Sequence, residues 1–339
     1  MKKMIKIVIA ILLIVFAVCL VILYYFLVGK VPQQKDITWG VNFSQKQAES
    51  LNLDWKKAYL AILDDLNVKK IKLLPGWDSI AKESGKYDFI DIDWQLEEAE
   101  KRDAKIIYVV GIKTGRWPEC HIPIWTESLA KEEQQKEALN YVREVILRYK
   151  DKKSIVSWQV ENEPFFYFGS CPSWYYKDKE FIKKEIALVK SIDAIRPIII
   201  SDTGEQSLWL KAAKNGDIVG ITMYRNIWAT IYKDFSFYFE SYLTPFFYHR
   251  RAEIVKLFYG KEVICGELQA EPWTHKNFMS TPLLEQEKTM NLNQFKKNIE
   301  FAKNTGIKEF YLWGAEWWYW LKTTQGKPEI WNESKNLFN

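Results

Sequence analysis

Two glutamates carry the strongest chemical signal in this 339-residue sequence. An apolar run beginning at Ile155 leads into W-Q-V-E-N-E-P, residues 158–164. Pro164 has no N–H to give to a sheet ladder, so the strand stops there. Glu163 therefore sits where a strand opens into a loop, with the amide donor Asn162 before it and aromatic residues after it. A carboxyl group in that setting is suited to general acid–base work. A second, Glu267, is delivered by V-I-C-G-E-L-Q, residues 263–269. Taken singly, each reads equally well as a solvated loop carboxylate. Taken together they are the pair of carboxyl groups with which a glycosidic bond is broken.

Strand-end carboxyls so far apart along the chain converge only in a fold that gathers strand ends at one face, as a parallel (β/α)8 barrel does. Eight apolar runs support it, at residues 37–42, 70–75, 105–110, 155–160, 197–202, 217–224, 263–269 and 309–313, interleaved with helix-sized segments. The intervening segments show helical stripes: Trp55, Tyr59, Ile62 and Leu66; Ala138, Val142, Val145 and Tyr149; Leu292, Phe295, Ile299 and Ala302. The expected fold class is α/β, a single TIM barrel over residues 37–339.

With these residues in this order, the sequence resembles the clan A retaining glycoside hydrolases from residue 37 to its C-terminus. The resemblance rests on Asn162 with Glu163 at the fourth strand, Glu267 at the seventh and Trp313 at the eighth, in F-Y-L-W-G-A-E-W-W. It implies a double displacement on a β-linked glycan, with Glu163 as acid/base, Glu267 as nucleophile and Asn162 on the sugar's 2-hydroxyl. It further implies that Tyr224, at the end of the sixth strand, hydrogen-bonds the nucleophile and that Trp313 stacks under the sugar. In that clan the second strand often supplies a supporting arginine; Lys72 is the nearest match here, and Lys does not replicate a bidentate Arg. Glu316 is placed to accept hydrogen bonds from sugar hydroxyls, while Glu271, beyond the strand, shapes the site. No metal or organic cofactor is implied. Two rival readings keep the barrel: a transglycosidase remodelling envelope or exopolysaccharide, and an anchored glycan-binding barrel without turnover.

Loops add further candidates. Trp117, His121 and Trp125 could form a sugar-binding wall, because aromatic faces cover the apolar faces of pyranose rings; a structural role is the competing reading for His121. Cys120 and Cys171 fall in the loops after the third and fourth strands, neighbours in a barrel, where a disulfide or two free thiols are both open. Cys265 reads as a buried, inert thiol. The aromatic-rich segment 224–248 could be a lid, a lipid-resting surface or the core of the sixth helix, and the core reading is preferred.

Residues 7–28 are uninterruptedly apolar or aromatic, enough to cross a bilayer, which takes about 20 residues. Lys2, Lys3 and Lys6 precede them, which leaves the N-terminus in the cytoplasm and the rest outside. Residues 1–30 are expected as an uncleaved signal anchor and 31–36 as a linker; secretion after signal cleavage is the alternative. Four lysines of that leader account for most of the formal net charge of +5. The near-neutral remainder offers no field for nucleic acid, so the expected partners are an oligo- or polysaccharide and the membrane.

Overall fold

The computed structural model describes residues 2–232, 235–274 and 278–338. Ten strands follow in chain order: β1 (Thr38–Phe43), β2 (Lys70–Leu73), β3 (Lys105–Val110), β4 (Ile155–Val160), β5 (Ile198–Asp202), β6 (Ile218–Met223), β7 (Asn226–Tyr232), β8 (Phe235–Glu240), β9 (Val263–Gln269) and β10 (Glu309–Trp313). Eight of them close into a parallel barrel in the order β1-β2-β3-β4-β5-β6-β9-β10, with β10 pairing back onto β1. The remaining two, β7 and β8, form an antiparallel hairpin inserted after β6.

Alternation along each strand divides the residues between two cores. In β3, Ile106, Tyr108 and Val110 face the surrounding helices, and so do Trp158 and Val160 of β4. Ile107 instead joins Ile199, Ile264 and Tyr311 in an apolar layer of their own. Other positions of the barrel strands are polar and buried: Asn42, Lys72, Gln159, Ser201, Thr222, Glu267 and Gln269. Such groups are tolerated only if they satisfy one another, and this obligation fixes the site described below.

The helices match their stripes. Trp55–Asp64 is capped by Asp54, whose carboxylate accepts from the amides of Lys56 and Lys57, and it buries Tyr59 and Ile62. Lys131–Tyr149 buries Ala138, Val142, Val145 and Tyr149. After β10, the helix Ala315–Thr324 encloses Trp317, Trp318 and Trp320.

The segment 224–248 departs from the expected helix core. It forms the β7–β8 hairpin, and the helix begins only at Pro245, running Pro245–Tyr259. Aromatic density was the misleading cue: F-S-F-Y-F has the strand-favouring composition of a half-buried pleated surface. Trp228, Phe237, Tyr238 and Phe239 are half-buried, and Tyr242 is 88% exposed.

The chain begins with the helix Lys2–Leu27, and 25 residues of it, Lys3–Leu27, are long and apolar enough to cross a membrane. Its C-terminal end meets the helix Pro245–Tyr259: Phe26 and Phe247 lie 5.9 Å apart edge to face, and the Arg250 guanidinium lies 4.6 Å from the Tyr25 ring. The stretch 31–36 follows the barrel wall rather than hanging free. The Gln34 amide donates to the Lys303 carbonyl at 2.9 Å, and Gln33 Nε2 to Glu300 at 2.7 Å.

Candidate active site

Glu163 lies three residues beyond β4, and its backbone adopts φ +42°, a region non-glycine residues rarely occupy. Glu161, Arg116 and Glu119 share that property at φ +61°, +65° and +75°. Backbone of this kind persists where surrounding contacts over-determine it, and it clusters at functional sites. The contacts are present. The Glu163 amide donates to Ser201 Oγ at 2.8 Å, its carbonyl accepts from Lys113 Nζ at 3.3 Å, and Thr222 Oγ1 donates to its carboxylate at 2.9 Å.

Glu267 comes from inside β9 and is 3% exposed. One carboxylate oxygen accepts from Lys72 Nζ at 3.0 Å and the other from Tyr224 Oη at 2.8 Å. Thr222 links the two glutamates: it is the register partner of Glu267 across the β6–β9 ladder while its hydroxyl holds Glu163. Two carboxyl groups thus share one water-poor barrel mouth. Burial first, and then the charge of Glu267, push the Glu163 carboxyl up to about 8, against the smaller opposing pull of Lys113.

Asn162 is oriented from behind. Its side-chain oxygen accepts from Gln159 Nε2 at 3.2 Å and Ser201 Oγ at 3.3 Å, which turns its NH2 the other way. Glu119 is a third buried carboxyl at the mouth, pushed up to about 7 chiefly by burial.

The opposite rim is a charge network. Arg116, 7% exposed, reaches from the loop after β3 to Glu271 after β9 and, at 3.1 Å, to Glu316 after β10. Its guanidinium lies 4.1 Å from the centre of the Trp313 ring. Trp313 therefore carries a stacked arginine on one face and is itself 6% exposed. Glu316 is fully enclosed; one oxygen accepts from the Ser44 amide at 2.5 Å and the other from Arg116. This corrects its expected role: both oxygens are already engaged and no sugar hydroxyl reaches them.

The proposed aromatic wall also dissolves in part. Trp117 is 71% exposed, but Trp125 donates to the Ala81 carbonyl at 2.8 Å and packs on Trp77. His121 is 3% exposed; its Nε2 meets the Gly115 carbonyl at 2.9 Å and its Nδ1 meets Lys46 Nζ at 3.1 Å. An ammonium only donates and a carbonyl only accepts, so the ring is neutral with its proton on Nε2. Burial, then Lys46, lower its proton affinity to the same effect. His121 props the Gly115 turn rather than lining the wall. Cys120 and Cys171 are joined, with Cα atoms 5.1 Å apart, which ties this loop to the one following Glu163.

Sequence reasoning missed Lys113, Arg116, Glu119, Ser201 and Thr222. The only local cue was K-T-G-R-W-P-E-C, three charged residues in a glycine- and proline-punctuated loop ending at a cysteine.

Residues 104–317 match the family described as glycosyl hydrolases family 2, TIM barrel domain. The chain belongs to that family. It is a clan A glycosidase of the retaining kind. No curated protein matches it in sequence. Among solved structures, xylanase 10B from Thermotoga maritima superposes with a TM-score of 0.56 at 16% identity, over 89% of this chain and 95% of that one. Xylanase 10B from Thermotoga petrophila RKU-1, solved with xylobiose, gives 0.53 at 17% identity, over 89% and 94%. A beta-galactosidase from Rahnella sp. R3 gives 0.56 at 12% identity, over 91% of this chain and 57% of its own, so the chain spans little more than half of that enzyme. At these identities the likeness concerns the fold.

Removing one member of a buried ion network strands the others. Arg116→Ala in this glycosidase is expected to lower unfolding free energy by about 3–5 kcal/mol; a denaturation midpoint unchanged from the parent would contradict the network.

Proposed function

We propose that the glycosidase cleaves a β-linked glycan with Glu267 as nucleophile and Glu163 as acid/base. The observation that carries this reading is the shared mouth: Thr222 holds Glu163 and pairs in register with Glu267, while Lys72 and Tyr224 both donate to Glu267. Both donors orient the Glu267 carboxylate. Glu163, whose affinity for its proton is raised, is then the group able to protonate the leaving oxygen.

In the first step, Glu267 attacks the anomeric carbon as the glycosidic C–O bond breaks and Glu163 passes its proton to the departing oxygen. In the second, ionised Glu163 takes a proton from water, which displaces Glu267 and restores the anomeric configuration. Asn162, oriented by Gln159 and Ser201, presents its NH2 to the 2-hydroxyl. Lys72 and Tyr224 hold the nucleophile in place.

Rings continue outward from the nucleophile: Tyr224 to Trp273 at 4.9 Å, Trp273 to Phe168 at 6.0 Å, and Phe168 to Trp117 at 6.4 Å. Such a path suits successive sugar units on the leaving-group side. It also favours a second reading, a transglycosidase, since an acceptor sugar seated there competes with water.

The helix Lys2–Leu27 is assigned as a signal anchor over residues 1–30, with Lys2, Lys3 and Lys6 inside and the barrel, residues 37–339, outside the cytoplasmic membrane. The Cys120–Cys171 bond supports an oxidising compartment.

Glu267→Ala should abolish turnover of an activated aryl β-glycoside and regain part of it with azide, yielding a glycosyl azide of inverted configuration; activity equal to the parent would sink the assignment. Added disaccharide acceptor in the parent assay separates transfer from hydrolysis. Because the acid must hold its proton, kcat/KM should fall as pH rises through about 8; a profile flat from pH 6 to pH 10 would show that Glu163 is not the acid.

A further inference from the structure

The apolar N-terminal helix does not lie along the barrel. Leu20, Val21, Ile22, Leu23 and Tyr24 are all exposed, and contact begins only in the last turn, where Phe26 meets Phe247 and the Arg250 guanidinium stacks on both Tyr25 and Phe246, at 4.6 and 4.5 Å. The helix Lys2–Leu27 therefore stands by its end on the helix Pro245–Tyr259. Counting about 20 residues outward from Lys6 brings the far edge of a bilayer's hydrocarbon to Tyr24, Tyr25 and Phe26, the aromatic level at which membrane helices meet the headgroups. There is no slack to lift the barrel away: Gln33 and Gln34, a few residues on, are already bonded to Glu300 and Lys303.

The side of the helix that receives the anchor continues past the contact. Phe247, Arg250, Ile254, Leu257 and Phe258 follow one another at i, i+3, i+7, i+10 and i+11, which is one side of an α-helix. The first three are partly buried, whereas Leu257 is 78% exposed and Phe258 72%. Exposed apolar side chains scattered singly need no explanation. These two are adjacent, and they extend a side already committed to the anchor. The charges around them are paired, Arg250 with Glu253 at 2.7 Å and Lys256 with Glu262. Such a strip has no net charge with which to select an acidic or basic partner; what it offers is apolar area at headgroup depth.

Resting on the reading of residues 1–30 as a signal anchor, we infer that this side of the helix Pro245–Tyr259 lies on the outer leaflet of the membrane, with Leu257 and Phe258 inserted at the boundary between headgroups and acyl chains. A helix seated in this way is buried by about 5–10 Å. Barrel helices run alongside their strands, so the barrel rests on its flank and the mouth holding Glu163 and Glu267 opens along the membrane. Glycan lying on the membrane reaches that mouth without leaving the surface.

The test places one bimane label per chain in the full-length protein, held in phosphatidylcholine nanodiscs, with Cys19→Ala removing the exposed thiol and Cys265 left buried. Leu257→Cys and Phe258→Cys alter exposed side chains and are neutral to the fold. With 5-doxyl lipid in the disc their labels should lose roughly half their emission, because the strip sits at the depth of the quencher. A label at Leu147→Cys, 45% exposed on the helix Lys131–Tyr149, should keep its own. A label at Tyr24→Cys reports on the anchor separately. Quenching there but not at 257 and 258 would overturn the inference and leave the anchor standing; no quenching at 24 would overturn both. Labels at 257 and 258 shielded from lipid quencher and aqueous iodide alike would mean that a second copy of the chain covers the strip, which also contradicts the inference.

Discussion

The barrel mouth confines two carboxyl groups to one poorly hydrated space, and the rest of the site answers that constraint. Like charges so placed in a low dielectric cannot both ionise at little cost. Lys72 and Tyr224 direct their donors at Glu267, whereas Glu163 receives one hydroxyl, from Thr222. That asymmetry of donors is what the proposed division of labour between a nucleophile and an acid/base calls for.

Supporting that asymmetry consumes most of the polar groups at the ends of the strands. Gln159 and Ser201 orient Asn162, and Ser201 also takes the Glu163 amide. Lys113 tethers the carbonyls of Glu163 and Phe166. Arg116 gathers Glu271 and Glu316 around Trp313. A disulfide fastens the loop bearing Arg116 to the loop bearing Phe165. The left-handed backbone at Glu161 and Glu163 is held by these bonds, and such preorganisation removes the cost of arranging the groups during the reaction.

How far this was legible in the sequence follows from how local each feature is. Pro164 and the apolar runs announce where β4 and β9 deliver their glutamates, and helical periodicity marks which faces of Trp55–Asp64 and Lys131–Tyr149 are buried. Lys72 was visible as a basic residue in a strand, but its bond to Glu267 depends on closure of the barrel across 195 residues. Glu316 was misjudged for the same reason. Its partners, Ser44 and Arg116, come from loops 272 and 200 residues away, and no local pattern reveals that they have taken its oxygens. The β7–β8 hairpin replaces the expected helix core because aromatic density is not burial: Trp228, Phe237, Tyr238 and Phe239 are all only half-buried.

The central claim is that Glu267 forms the covalent bond to the sugar while Glu163 manages the proton. The most direct measurement is to trap the intermediate with 2-deoxy-2-fluoro β-glycosides carrying a good leaving group, a panel covering glucose, galactose and xylose, and to map the label by peptide mass spectrometry. The account predicts one sugar per chain, on the peptide containing Glu267. A label on Glu163, Glu119 or Glu271 instead would contradict it.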